Sequence, residues 1–173
     1  MAGILDNIQA TDLRLFSRLQ QYRGWLARHC RGISRTADGL LYVLVALGYY
    51  IANAGGDQTF TSLLCLCFLI ERPVYYVLKL SCRRRRPPQA IPGFESLIVA
   101  SDKFSFPSGH TSAAFMFAVA CVLWFGSFAS PLLVWACSVG FSRIFLGVHF
   151  PSDVLIGACL GSVIAIQIHG FLI

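Results

Sequence analysis

Five apolar stretches divided by short polar ones constrain this chain more than any other feature. They run roughly from Gly39 to Asn53, Phe60 to Leu80, Thr111 to Phe128, Pro131 to Val148 and Val154 to the C-terminus. Each approaches the roughly 20 residues that a bilayer-crossing helix needs, the first and third being near the short limit. Composition points the same way. Of 173 residues, 56% are hydrophobic and only 13% charged, with a mean hydropathy of +0.66, too apolar for an ordinary water-soluble domain. The expected fold class is therefore all-α, a polytopic membrane helix bundle with about five transmembrane helices. One domain over residues 1–173 is enough, with 1–36 as an N-terminal segment and 37–173 as the transmembrane core.

The N-terminal segment reads differently. Leu15, Leu19, Tyr22 and Leu26 recur at helical spacing with Trp25 beside them, while Arg14, Arg18, Arg23, Arg28, Arg31 and Arg35 cover much of the rest. That many arginines forbid a span, so an interfacial amphipathic helix is expected. The segment also lacks the apolar centre and cleavage site of a signal peptide. The net charge is +6, from 14 Lys+Arg against 8 Asp+Glu. Nucleic-acid binding is one reading of such a chain. The six N-terminal arginines suit anionic lipid headgroups better, and no nucleic-acid partner is expected. The seven cysteines lie mostly in apolar runs without paired Cys-x-x-Cys motifs, so they read as small apolar fillers.

Within the spans, several features set local expectations. Asp38 is the expected N-cap of the first. The short Gly126–Pro131 link makes spans three and four an antiparallel pair. Gly157 and Gly161 permit close helix contact in span five. Glu71 and Arg72 lie inside span two, roughly 10 Å below Lys79 at 1.5 Å per residue. A buried ion pair between helices is the preferred reading for them, with a contact to a substrate diphosphate as the alternative. Arg72, Tyr76 and Lys79 fall near one helical face.

Topology then gathers the polar residues. Counting sides from the N-terminus puts the end of span two, the start of span three, the end of span four and the start of span five on one membrane face. Lys79 and Arg83 to Arg86, His110, Arg143, His149 and Asp153 all lie at those points. The opposite face has two short loops and one charge, Asp57. Lys79, Arg86 and Arg143 can hold a dianionic phosphate. Ser108 and Gly109 open a helix whose free N–H groups favour an anion. Two histidines can divide nucleophilic attack and proton transfer, with Asp153 fixing the tautomer of His149. His149 and Asp153 at i, i+4 also admit a metal, but Pro151 interrupts the face and no third ligand is near, so no metal is expected. Arg83, Arg84 and Arg85 are as readily a lipid anchor as part of the site.

Lys79-x6-Arg86-Pro87, Pro107-Ser108-Gly109-His110 and Ser142-Arg143-x5-His149-x3-Asp153 together resemble the three-part signature of the type 2 phosphatidic acid phosphatase family. All three parts are complete and in order. The resemblance implies a metal- and cofactor-independent hydrolase acting on a lipid phosphate in the bilayer. His149 would be the nucleophile, passing through a phosphohistidine, His110 the general acid and Asp153 the orienting carboxylate. Lys79, Arg86, Ser108, Gly109 and Arg143 would bind phosphate. A lipid phosphotransferase using the same site and a catalytically silent membrane binding protein are the alternatives.

The loop from Pro87 to Phe106 is expected to form part of the rim. Its Ile91, Phe94, Leu97, Ile98 and Val99 either touch lipid chains or pack the loop down. Counting Lys and Arg puts the site face in the cytoplasm. The resemblance implies an external, periplasmic face of the cell membrane, and that side is expected here.

Overall fold

The computed structural model describes residues 2–173, and the side chains of 6–173 other than that of Trp25, which lies outside the described residues. The described chain is helical, with no strand. The helices are α1 (Ala2–Gln20), α2 (Arg23–Arg35), α3 (Leu40–Ala52), α4 (Thr59–Cys82), the short α5 (Pro87–Ala90), α6 (Gly109–Phe125), α7 (Pro131–Phe145) and α8 (Pro151–Leu172), with a 3-10 turn over Gly126–Ala129. Two stretches are long and apolar enough to cross a membrane, Gly109–Ala129 and Pro151–Leu172, while Leu40–Ala52 and Pro131–Phe145 are shorter apolar helices. Helix α4 is longer, at 24 residues, but carries Glu71, Arg72 and Lys79.

The bundle is built around α6 and α8, and small residues make that possible. A Cβ on Gly161 would sit 2.0 Å from the Ser112 carbonyl oxygen, and one on Gly157 2.6 Å from that of Ser108. The two backbones therefore touch, as the glycine spacing predicts. Helix α7 packs back against α6, α4 against α6 and α8, and α3 against α4. Large apolar side chains remain exposed on the outer faces, among them Val43, Leu47, Leu69, Val77, Leu155 and Val163. So broad an apolar surface suits a lipid surround.

Three local expectations need correction. The N-terminal segment is two helices rather than one, broken at Gln21–Tyr22, where the Tyr22 N–H bonds the Leu19 carbonyl. Within α1 the buried face runs through Asp12 and Phe16 rather than Leu15, and past the break, with Tyr22 exposed, α2 buries Cys30 and Ser34. Second, Asp38 does not cap α3. Gly39 holds that position with φ 100°, without a side-chain cap. Third, α8 begins at Pro151 rather than near Val154. Proline is well suited to a first helical position because its missing N–H costs nothing there. Asp153 thus lies in the first turn, where a carboxylate opposes the helix dipole, and accepts the Phe150 N–H at 2.8 Å. The cysteines divide: Cys30, Cys67 and Cys121 fill the interior, whereas Cys65, Cys82, Cys137 and Cys159 are exposed.

Candidate active site

Helix α4 presents a row at i, i+4 and i+8, Glu71, Tyr75 and Lys79, all buried against the bundle. The face expected from Arg72, Tyr76 and Lys79 is therefore off by one residue, since Tyr76 is exposed. Lys79 Nζ donates to Asp102 Oδ2 at 2.7 Å and to the Tyr75 hydroxyl. Glu71 accepts Ser112 Oγ at 2.6 Å and pairs with the neighbouring Arg72. The ion pair thus lies within α4, and a serine rather than a charge bridges to α6. The Arg72 guanidinium lies over the Tyr75 ring, 4.9 Å from its centre, and lines the cavity described below.

Arg86 leads into α5 and is almost fully buried. It donates to the Val148 carbonyl at 2.6 Å, to the Asp102 carbonyl at 3.0 Å and to the Asp102 carboxylate, and its Nη1 stands 3.4 Å from His149 Nε2. Asp102 thereby bridges Lys79 and Arg86. Burial raises its pKa, but the bonds from Lys79 and Arg86 outweigh that and hold it at about 2. This carboxylate occupies the kind of position that an anionic ligand of those cations would take.

Helix α6 starts at Gly109, after Ser108 in extended conformation. Ser108 sits at the cap position without a side-chain cap bond. Its hydroxyl pairs with that of Thr111 at 2.8 Å, and its N–H bonds the Asp153 carbonyl at 3.0 Å. A Cβ on Gly109 would lie 2.9 Å from the Tyr75 ring, so the glycine admits that ring beside the site. His110 Nε2 meets Asp38 Oδ1 at 2.8 Å. From α7, the buried Arg143 donates to Ser34 Oγ at 2.6 Å, while its Nε has no partner.

His149 lies in the link between α7 and α8, which turns at Gly147 with φ 77°. It is 2% exposed. Burial first, and Arg86 beside it, push its pKa down to about 4, against the pull of Asp153. Its imidazole is therefore neutral near pH 7. The Asp153 Oδ2 stands 3.8 Å from His149 Nδ1, beyond hydrogen-bond length, and Nδ1 has no other partner. Asp153 Oδ2 also accepts Ser105 Oγ, and Oδ1 accepts Arg84 Nη1 at 2.7 Å.

A cavity of about 1390 Å³ joins these groups. Arg86, Asp102, His110, Arg143 and His149 line its polar end, and the rest is largely apolar wall from α3 and α4. Of the residues expected at the site, Arg86, Gly109, His110, Arg143 and His149 face this space. Lys79 reaches it through Asp102 and Tyr75, Asp153 sits behind His149, and the Ser108 groups are spent elsewhere. In the rim loop, Ile91 and Phe94 pack with Phe16, Leu97 and Ile98 pack with Leu146 and Val148, and Val99 is exposed.

The sequence model of the PAP2 superfamily matches residues 59–172, about two thirds of the chain. The chain belongs to the PAP2 superfamily. It is 33% identical over 144 residues to phosphatidylglycerophosphatase B of Bacillus subtilis, covering 76% of this chain and 66% of that protein. It is 38% identical over 77 residues to an undecaprenyl-diphosphatase of the same organism, covering 44% and 37%. The chain thus matches just under two thirds of the first relative and less of the second. Among solved structures, a transmembrane PAP2-type phosphatidylglycerolphosphate phosphatase from Bacillus subtilis superposes with a TM-score of 0.81 at 27% identity, covering 95% of this chain and 86% of that one. The helical arrangement is therefore that of a PAP2 membrane phosphatase.

Sequence reasoning missed Asp12, Tyr75, Asp102 and Ser105, named Asp38 only as a helix cap, and left Arg84 as readily a lipid anchor as part of the site. Asp12, Asp102 and Ser105 reach the site from α1 or from a loop, where no spacing rule marks them, whereas Tyr75 lies on α4, one residue off the face the sequence suggested. Asp102 left the best trace, as an acid in a mostly apolar loop.

Proposed function

We propose that the protein is a metal-independent lipid phosphatase that cleaves the phosphate monoester or diphosphate of a membrane lipid through a phosphohistidine. The observation that carries this is the buried His149 facing Arg86 in a cavity shared with His110 and Arg143. His149 Nε2 attacks phosphorus, and the bond from phosphorus to the lipid-side oxygen breaks as His110 protonates that oxygen. Water then attacks the phosphohistidine, His110 takes its proton, and the N–P bond breaks to release phosphate. Lys79, Arg86 and Arg143 stabilise the equatorial oxygens, and incoming phosphate competes with Asp102 for the first two. Asp153 closes on Nδ1 as His149 becomes positive; such contacts are commonly long before substrate binds.

The bilayer setting is part of the proposal. Helices α3, α4, α6, α7 and α8 form five spans, α1 and α2 lie at the interface, and the site opens on the external face of the cell membrane as part of one domain over 1–173. The apolar cavity wall supports a lipid substrate, and the relatives' names support phosphatidylglycerophosphate or a prenyl diphosphate.

The test is phosphate release by the purified protein from a panel of lipid phosphates in EDTA, alongside His149→Ala. We expect release in EDTA that the variant abolishes. A requirement for a divalent ion, or activity surviving in the variant, rejects the mechanism. A cysteine at the 97% exposed Val99 reports the side, since an impermeant thiol reagent labels it in intact cells only if the loop is external.

A further inference from the structure

Arg84 turns inward from a stretch of four arginines. Helix α4 ends on Arg83 in the left-handed conformation, φ 45°, which few residues other than glycine adopt. That turn sends the next side chain under the site. One nitrogen of the Arg84 fork donates to Asp153 Oδ1 and Ser152 Oγ, each at 2.7 Å. The other donates to Asp12 Oδ2 at 2.6 Å and Gln9 Oε1 at 2.7 Å. Its planar face lies over the Phe150 ring, 4.5 Å from the centre.

Asp12 comes from α1, outside residues 59–172 that match the superfamily. It is 3% exposed, and its Oδ1 accepts the Ser152 N–H at 2.9 Å in the first turn of α8. Phe16, one turn on, packs edge-on against Phe150 and Phe94 at 5.4 and 5.2 Å between ring centres. An interfacial anchor would not need a buried carboxylate aimed into the bundle. Hydrogen bonds run from Asp12 through Arg84 to Asp153, whose other oxygen stands 3.8 Å from His149 Nδ1.

We infer that α1 completes the active site, with Asp12 acting as a positioning residue that holds Arg84 and, through it, the Asp153 carboxylate behind His149. The inference rests on the phosphohistidine reading above. Without the Asp12 charge, Arg84 is free to leave Asp153 for solvent. The carboxylate then loses the bond that fixes one of its oxygens, and its other oxygen drifts from Nδ1. Phosphate binding, handled by Lys79, Arg86 and Arg143, is untouched.

The experiment is a double-mutant cycle on the full chain with a lipid phosphate substrate, comparing Asp12→Asn, Asp153→Asn and the double variant. Asp12→Asn should lower kcat by about tenfold with KM unchanged, and should have no further effect in the Asp153→Asn background. Asp57→Asn, a carboxylate in the loop before α4, should leave kcat unchanged. If Asp12→Asn does not accumulate folded, Arg84→Lys carries the same test, since lysine keeps the charge but cannot fork between two carboxylates. Additive losses, a raised KM with kcat kept, or an unaffected kcat would each overturn the inference. An inactive wild-type protein overturns the phosphatase reading and this one together; an active wild type with an unaffected Asp12→Asn overturns this one alone.

Discussion

The two ends of the bundle are held together by different physics. At one end Lys79, Arg86, Arg143, His149 and Asp153 are buried beside one another, with the half-buried Arg84 against them, linked by carboxylates and backbone carbonyls. At the other, Tyr49, Phe60, Trp124 and Phe125 pack ring against ring, with centroids 4.9 to 6.5 Å apart, and Asp57 sits exposed in the adjoining loop. Buried charges are a poor source of net stability, because desolvation consumes most of what pairing returns. Aromatic packing carries no such cost. The polar end therefore reads as the part kept for chemistry, and the aromatic end as the part that keeps the bundle closed. Substitutions should separate along that line.

The largest separation should come at Asp153. Asp153→Asn keeps the volume, and its one oxygen can still accept from Arg84, while the amide NH2 replaces the oxygen that accepts Ser105 and the Phe150 N–H. The Ser105 hydroxyl can turn to accept instead, so the melting temperature should fall only modestly. The amide cannot stabilise a positive His149, and on the proposed mechanism kcat should fall by about a thousandfold or more. Steady-state kinetics beside a thermal melt in detergent checks both halves. A large fall in melting temperature with kcat preserved would reverse the assignment of roles to the two ends.

Phe60→Ala tests the other end. Phe60 is fully buried and touches Tyr49, Trp124 and Phe125. Its truncation leaves a cavity that should cost about 3–5 kcal/mol of stability. The kcat and KM of the molecules that remain folded should match wild type. Denaturation in mixed micelles measures the first, and turnover normalised to folded protein the second.

How far the sequence revealed this division depends on how local each signal was. The apolar periods located α3, α4, α6, α7 and α8, because length and hydropathy are local properties. Gly157 and Gly161 marked the α6–α8 contact for the same reason. Three motifs named the residues around the cavity, since each is a short run with fixed spacing. What stayed hidden is non-local. Asp102 reaches Lys79 and Arg86 over 23 and 16 residues, and Asp12 reaches Arg84 over 72. The N-terminal stripe misled because α1 turns Asp12 and Phe16, not Leu15, toward the bundle to meet Arg84 and Phe150, and the break at Gln21–Tyr22 then ends the single helix it assumed. Asp38 had the right chemistry for a cap, but a glycine with positive φ took that place and left the carboxylate to His110.

Asp102 gives the smallest effect and the finest probe of the comparison. It neutralises Lys79 and Arg86 in the free protein, yet it stands in the way of a phosphate that needs the same cations. Its pKa is held at about 2, below the ordinary 3.8, so the stabilisation it supplies is present above pH 3.8 and is lost only as pH falls toward 2. It therefore competes as a carboxylate at every pH of a normal assay. Asp102→Asn should lower KM by about three- to fivefold, the worth of a partly exposed ion pair near 1 kcal/mol. The gain should be the same at pH 5.5 and pH 7.5 (values chosen well above about 2, where the carboxylate stays ionised). The melting temperature should fall, because two buried cations lose their partner. Stability and affinity thus move in opposite directions at this residue, as they should where charge is kept for binding. No substitution in the Phe60 cluster should do that, and a variant there that melted lower while binding substrate more tightly would dissolve the distinction between the two ends.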